Sequence, residues 1–307
     1  MKNPKNKEQN AEVREPLIHI TKRDMSTVKR SITVRAIAIL AALVLAGIAT
    51  MLLTKNNPIK VYASFFEGAF GSSTQVWSTM KNLALLLGIS LAITPAYRMR
   101  FWNTGAEGQV LIGCLATAFM MWKFNTSIES GSMPEWLLIL LMLVVAVVSG
   151  IIWGVIPAIF KAQWGTNETL FTLMMNYVAI QLIEYFLKVA DRSGSNTVGP
   201  TILRHGWLPE FGISRYLIGI IVVALLTVFM YIYLRYSKHG YEIAVVGESE
   251  NTARYIGISV KKVIIRTMAL SGALCGLMGF LIVAGNTHSI DPDLVAGRGF
   301  TAVGYLT

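Results

Sequence analysis

The chain is short of charge, of cysteine and of every common catalytic signature. Charged residues make up 14% of its 307 residues, against roughly 25% in soluble domains. That shortage argues against a water-soluble enzyme of two domains, which length alone would suggest. Two cysteines, Cys114 and Cys275, both sit in apolar runs with no CxxC spacing, which excludes a disulfide framework and a cysteine metal site. No GxxxxGK[ST] phosphate loop, GxSxG elbow or HExxH helix occurs, so the chain neither binds ATP by a P-loop nor carries a recognisable hydrolase centre. The four histidines, His19, His205, His239 and His288, are scattered over tails and loops.

What remains is apolar. Hydrophobic residues reach 54% and the mean hydropathy is +0.55. A helix needs about 20 apolar residues to cross a hydrocarbon core. Runs of that kind cover 36–53, 136–160, 170–187, 216–234 and 268–285, with two shorter runs at 83–97 and 108–122. The expected fold is all-α, a polytopic helical membrane protein with seven to eight spans. No cleaved signal peptide is expected, because a long polar stretch precedes the first run.

The net charge of +10 fits orientation in a membrane better than nucleic-acid binding, since the basic residues lie in tails and loops. Lys2, Lys5, Lys7, Arg14, Lys22, Arg23, Lys29, Arg30 and Arg35 crowd the N-terminal tail, and Arg235, Lys238, Arg254, Lys261, Lys262 and Arg266 crowd 235–266. The loop 190–214 carries Arg192 and Arg204. The positive-inside rule then places the tail and 235–266 in the cytosol and 190–214 outside. Residues 1–35 are expected to form a disordered basic tail, some of it near anionic lipid, and 36–307 the membrane domain.

Three constellations are candidate chemistry. Trp102, Asn103, Glu107 and Gln109 interrupt two apolar runs beside Gly105 and Gly108. They read either as a cytosolic loop or as polar groups capping broken helices beside a cavity. Asn167 and Glu168 open the fifth of the seven runs, where Glu168, Thr172 and Asn176 recur at four-residue spacing. Such a stripe faces either a pathway or another helix that it bonds to, not lipid. The segment 235–262 mixes charge with the apolar run 243–246 between Gly240, Gly247 and Gly257. Its length implies structure or a partner. Gly150 with Gly154, and Gly272 with Gly276, are read as helix packing.

The order Phe65–Ser72, Phe101–Gly113, Gly165–Tyr177, Gly240–Ile258 and Ser271–Gly279 resembles the permeases of bacterial ABC importers for simple sugars and nucleosides, the branched-chain-type permease family, most of all its nucleoside branch. The Asn-x-Gly-Ala-Glu-Gly-Gln pattern from Asn103 and the Asn-Glu-x-x-x-Thr-x-Met-x-Asn pattern from Asn167 carry most of the likeness.

The resemblance implies a transport subunit without a cofactor or enzymatic activity of its own. Two permeases would pair with two ABC ATPase subunits in the bacterial cell membrane, fed by an extracytoplasmic substrate-binding lipoprotein. A coupling helix would lie among Gly240, Tyr241, Glu242, Val245, Gly247 and Gly257, with Tyr241 and 243–246 as its apolar contact. The chain departs from the family at Ala244, where a basic residue is usual, and at Ser249-Glu250, where Asn-Pro is usual. The family runs to nine or ten spans, and the stretch from Gly297 looks like the start of a further segment, so a C-terminal truncation is expected.

For a nucleoside, Asn103, Glu107, Gln109, Asn167, Glu168 and Asn176 offer polar contacts, and Trp102, Trp164, Phe171 and Tyr177 offer rings. Ribose or galactose would use the same hydroxyl-binding groups. An ion-coupled secondary carrier would instead show two related halves and intramembrane carboxylates. No duplicated half is visible, and the carboxylates reduce to Glu107, Glu168 and Glu184.

Overall fold

A computed structural model describes residues 28–191, 194–210 and 214–306. The basic tail as far as residue 27, and Arg192, therefore lie outside the described residues. Two units divide the chain, one ending at Glu67 and one starting at Gly68.

The first unit holds helix α1 (Val28–Thr54) and most of α2 (Pro58–Phe70). Helix α1 starts ahead of the apolar run at 36 and takes in Lys29, Arg30 and Arg35, whose long stems let the charged heads reach outward. Pro58 begins α2 at a position where its missing N–H costs nothing. The Asn57 side chain accepts the Ile59 N–H at 2.9 Å and closes that turn.

The second unit is a helical bundle with a short amphipathic layer at one end. Its helices are α3 (Ser73–Arg98), α4 (Ala106–Glu129), α5 (Glu135–Trp164), α6 (Glu168–Ala190), α7 (Leu217–Tyr236), α8 (Lys238–Glu248), α9 (Glu250–Tyr255), α10 (Val260–Ile282) and α11 (Arg298–Leu306). A π-helical turn, Val283–Thr287, continues α10. Among the described residues no strand forms beyond the isolated bridge between Val198 and Ile290.

Among the described residues, six helices are long and apolar enough to cross a membrane: α1, α3, α5, α6, α7 and α10. The expected run at 108–122 forms α4, whose 24 residues give the length but not the apolarity. Glu107, Gln109, Lys123 and Asn125 lower it, and the first two lie in the stretch Ala106 through Cys114 that is buried in protein. Helix α3 extends back to Ser73, where Ser72 caps it by accepting the Gln75 N–H, so the polar stretch before 83 is helical as well.

Helix α10 is the hub. It packs on α3, α4 and α5 and is 72% buried across its span, against 22–33% for α3, α5, α6 and α7. Small residues make this possible. A Cβ on Gly272 would land on the Gly150 carbonyl oxygen, and one on Gly276 would land on the Ala146 carbonyl oxygen. The helices α5 and α10 therefore touch backbone to backbone, the close approach that small-residue repeats permit.

Candidate functional site

The turn between α3 and α4 is not a free loop, and its Met99–Phe101 end borders a cavity of about 180 Å³ beside Lys161 and Glu168. Phe101 and Asn103 are buried, and Asn103 is shared by three neighbours. Its amide donates to Gln109 Oε1 at 3.4 Å and to Ser271 Oγ at 3.5 Å, while its carbonyl accepts the Gly105 N–H at 3.1 Å. Trp102 turns outward, 48% exposed, with its ring edge on Tyr97.

Helix α4 is preceded by Gly105, which has no side chain to cap it. One of the orphan N–H groups of its first turn is satisfied by another helix. Asn176 Oδ1 of α6 accepts the Gly108 N–H at 2.8 Å, and Asn176 Nδ2 donates to the Thr104 carbonyl at 3.0 Å. Thr172 Oγ1 accepts the Thr104 N–H at 3.2 Å. Gly108 is required here, because a Cβ would sit 2.7 Å from Asn176 Oδ1. The stripe Thr172–Asn176 thus faces the start of α4 and bonds to it, while the Thr172 hydroxyl also donates to the Glu168 carbonyl of its own helix at 2.8 Å.

Glu168, on the same side of α6, pairs with Lys161 of α5 at 2.7 Å. Asn167 accepts the Leu170 N–H at 3.1 Å and caps α6. Glu107, a pathway candidate, holds the start of α11. Its two carboxylate oxygens accept the Gly297 N–H at 2.9 Å and the Gly299 N–H at 2.7 Å. A carboxylate at a helix N-terminus meets the positive end of the helix dipole. Nothing in the sequence spacing linked residue 107 to residue 299.

At the end of the bundle where α3, α5 and α7 finish, α8 and α9 form a separate layer. Ser237 and Ser249 cap them by accepting the Gly240 and Thr252 N–H groups. Gly240 and Gly247 are buried against the carbonyls of Leu234 and Arg98, and Gly257 takes the left-handed φ of 84° that turns the chain toward α10. Ile243 and Val246 point into a small core with Phe101, Ile264 and Met268, and Val245 packs on its edge. They are therefore fold residues and not the outward contact expected of 243–246.

Tyr241, at 61% exposed, does face outward, as do Tyr255 at 93% and Ile256 at 51%. Glu242 is half-buried. Tyr255 and Ile256 escaped the sequence reading, although two bulky apolar residues between charged positions were a visible signal.

His239 lies in α8, not in a loop, and ties that layer to the bundle. Its Nδ1 meets the Tyr233 hydroxyl at 2.6 Å and its Nε2 the Thr267 hydroxyl at 3.4 Å. Burial holds its pKa below the usual histidine range, with Arg266 adding to the effect and Glu242 opposing it. His288 is buried under Trp207, the rings stacked 4.2 Å apart. Among the described residues no group of three or more His, Cys, Asp or Glu side chains is placed to hold a metal ion.

A bundle of apolar helices welded by glycines, with a capped amphipathic layer at one end, is the architecture of a multi-pass membrane transport component. Residues 73–304 match the permease component of the branched-chain amino acid transport system, and the chain belongs to that permease family. It is similar to the guanosine ABC transporter permease NupP of Bacillus subtilis, 31% identical over 85% of this chain and 73% of the relative. It is also similar to the nucleoside ABC transporter permease NupB of Lactococcus lactis, 30% identical over 83% and 71%. A third relative is the glucose ABC transporter permease TsgB13 of Haloferax volcanii, 28% identical over 87% and 72%. No solved structure matches the chain.

Proposed function

We propose that the chain is the permease subunit of an ATP-driven nucleoside importer in a bacterial cell membrane. In this reading it pairs with a second permease, takes its solute from an extracytoplasmic binding lipoprotein and is driven by a separate ABC ATPase. The observation that carries the reading is similarity, over most of both chains, to permeases named for guanosine and for nucleosides. Sugar import is the second reading, favoured by the likeness to a glucose permease. An ion-coupled carrier has no such support.

Orientation follows from charge. Arg98, Arg100, Lys161, Arg235, Lys238, Lys261 and Lys262 gather at the end where α3, α5 and α7 finish and α8 and α9 lie. That end is assigned to the cytosol, and so, by its own basic residues, is the N-terminus. The α8–α9 layer is then the dock for the ATPase, with Tyr241, Tyr255 and Ile256 as apolar anchors. The buried knot of Asn103, Gln109, Thr172 and Asn176 is assigned to holding α4 against α6 and α10, and Glu107 to holding α11.

Uptake of labelled guanosine by proteoliposomes holding the permease with its neighbouring ATPase and binding protein tests the substrate, with unlabelled uridine, glucose and ribose as competitors. Competition by glucose but not by uridine would move the assignment to sugars. Tyr255→Ala is expected to weaken ATPase docking by about 2 kcal/mol. Because that ring touches little of its own chain, folding should be unaffected. Val245→Asp would be a poorer test, since Val245 packs on the small core.

A further inference from the structure

We infer that a second polar stripe on α6, formed by Tyr177, Gln181, Glu184 and Lys188, lines the aqueous path of the solute. The spacing of four, three and four residues keeps these side chains within an arc of roughly 60° around the helix. They lie on the side away from Thr172 and Asn176. Tyr177 is 60% exposed, Gln181 and Lys188 are exposed, and Glu184 is half-buried. Gln181 stands near the midpoint of a helix that runs Glu168–Ala190, where water is absent if the face meets lipid.

The neighbouring helices show what a lipid-facing side looks like in this protein. The exposed ridge of α5 is Leu140, Val144, Val148 and Ile152, and that of α7 includes Ile221, Leu225, Val228 and Ile232. Neither ridge carries an amide or a charge. Helix α6 has such an apolar ridge as well, through Met174, Val178 and Leu182, beside the polar stripe. A primary amide turned to hydrocarbon finds no partner for its hydrogen bonds, so the stripe has another medium in front of it.

The stripe also leads somewhere. Its far end, Glu184 and Lys188, lines a cavity of about 740 Å³ with Asn196, Thr197, Asp291 and Asp293. This cavity lies at the end of the bundle opposite α8 and α9, the side assigned to the exterior. Solute entering there meets polar groups first, then the Gln181 amide, which both donates and accepts, and then the Tyr177 ring, which offers a flat face. That sequence suits a neutral solute carrying hydroxyls and a planar ring. The solute class rests on the nucleoside reading above, whereas the aqueous exposure of the stripe does not.

The test uses single cysteines in the permease assembled with its ATPase and binding protein in proteoliposomes. Cys114 and Cys275 are buried and give a low background. A charged, membrane-impermeant methanethiosulfonate should label Tyr177→Cys and Gln181→Cys about tenfold faster than Val178→Cys and Leu182→Cys, because the thiolate that reacts forms where water reaches. Guanosine should slow labelling of Gln181→Cys, and Gln181→Leu should raise the KM for guanosine about tenfold, the value of one hydrogen bond to the solute. Labelling of Gln181→Cys by a lipid-soluble maleimide alone would overturn the proposal in favour of lipid. Oxidative cross-linking of two copies of the Gln181→Cys variant, without reaction with the charged reagent, would overturn it in favour of a subunit contact. Labelling by the charged reagent without guanosine protection or uptake would keep the stripe and remove the nucleoside reading.

Discussion

Helices α7 and α10 are both apolar enough to span a membrane, yet the protein uses them in opposite ways. Helix α7 is the more apolar of the two and is 22% buried, whereas α10 is 72% buried. Hydropathy thus reports the solvent a helix tolerates, not the neighbour it has. What separates the two is side-chain size. Ser271, Gly272, Gly276 and Gly279 let α10 come within backbone contact of α4 and α5. The buried face of α7 is made of the bulkier Val223, Leu226 and Met230, and the bundle helix it packs on is α3. In lipid, where Leu has no preference for protein over acyl chains, such packing is what holds helices together.

The largest effect should therefore fall on the α5–α10 contact. Gly272→Val would add three carbons against the Gly150 backbone, with the Cβ already landing on the Gly150 carbonyl oxygen, and neither helix can move without disturbing α4. A loss of about 3 kcal/mol or more is expected, read as a lower unfolding midpoint in detergent and a poor yield of monodisperse protein. An unchanged midpoint would mean that α5 and α10 do not meet there, and the contrast with α7 would lose its basis.

Next in size is the polar seam. Asn176→Leu removes the acceptor for Gly108 and the donor to Thr104, and should cost about 1–2 kcal/mol. Guanosine KM in the folded fraction should not change. That outcome separates a residue that binds helices from Gln181, whose substitution is expected to leave stability alone and alter KM. A raised KM with normal stability would place Asn176 on the pathway after all.

Much of this contrast was legible in the sequence. The long apolar runs marked the spans, the glycine pairs marked the weld, and the Asn167 motif marked a polar stripe on α6. The direction of that stripe was not legible, because Thr172 and Asn176 find their partners in the backbone of Thr104 and Gly108, and backbone groups carry no signature. The hold of Glu107 on α11 was not legible for the same reason, as its partners are the N–H groups of Gly297 and Gly299. Within 243–246 the burial of Ile243 and Val246 around half-buried Ala244 and Val245 depends on the packing of α8 against Phe101 and Ile264, which no local pattern reveals.

A smaller effect is expected at His239, where α7 and α10 are joined through α8. Burial lowers its folded-state pKa below the ordinary value of 6.5, so folding favours the neutral ring. The stabilisation is present above 6.5 and is lost as pH falls through that value toward the folded pKa, below which the slope levels off. Thermal midpoints taken from neutral pH downward should fall over that window, and His239→Gln should flatten the fall. An identical slope in the variant would assign the pH dependence to other groups.

The smallest effect should come from the outer face of α7. Leu225 is 65% exposed and sits mid-helix among Val222, Leu226 and Val228. Leu225→Val exchanges one apolar side chain for another of nearly equal affinity for acyl chains. Both are tolerated in an apolar helix, so a change within about 0.5 kcal/mol is expected. The unfolding midpoint and guanosine uptake should match the parent. The outcome bears directly on the comparison with α10, because the midpoint tells lipid from protein. A loss of about 1.5 kcal/mol would be that of a methylene removed from a packed core. It would mean that a partner covers this ridge in the assembled transporter, and that α7, like α10, is an interior helix whose neighbour comes from another chain.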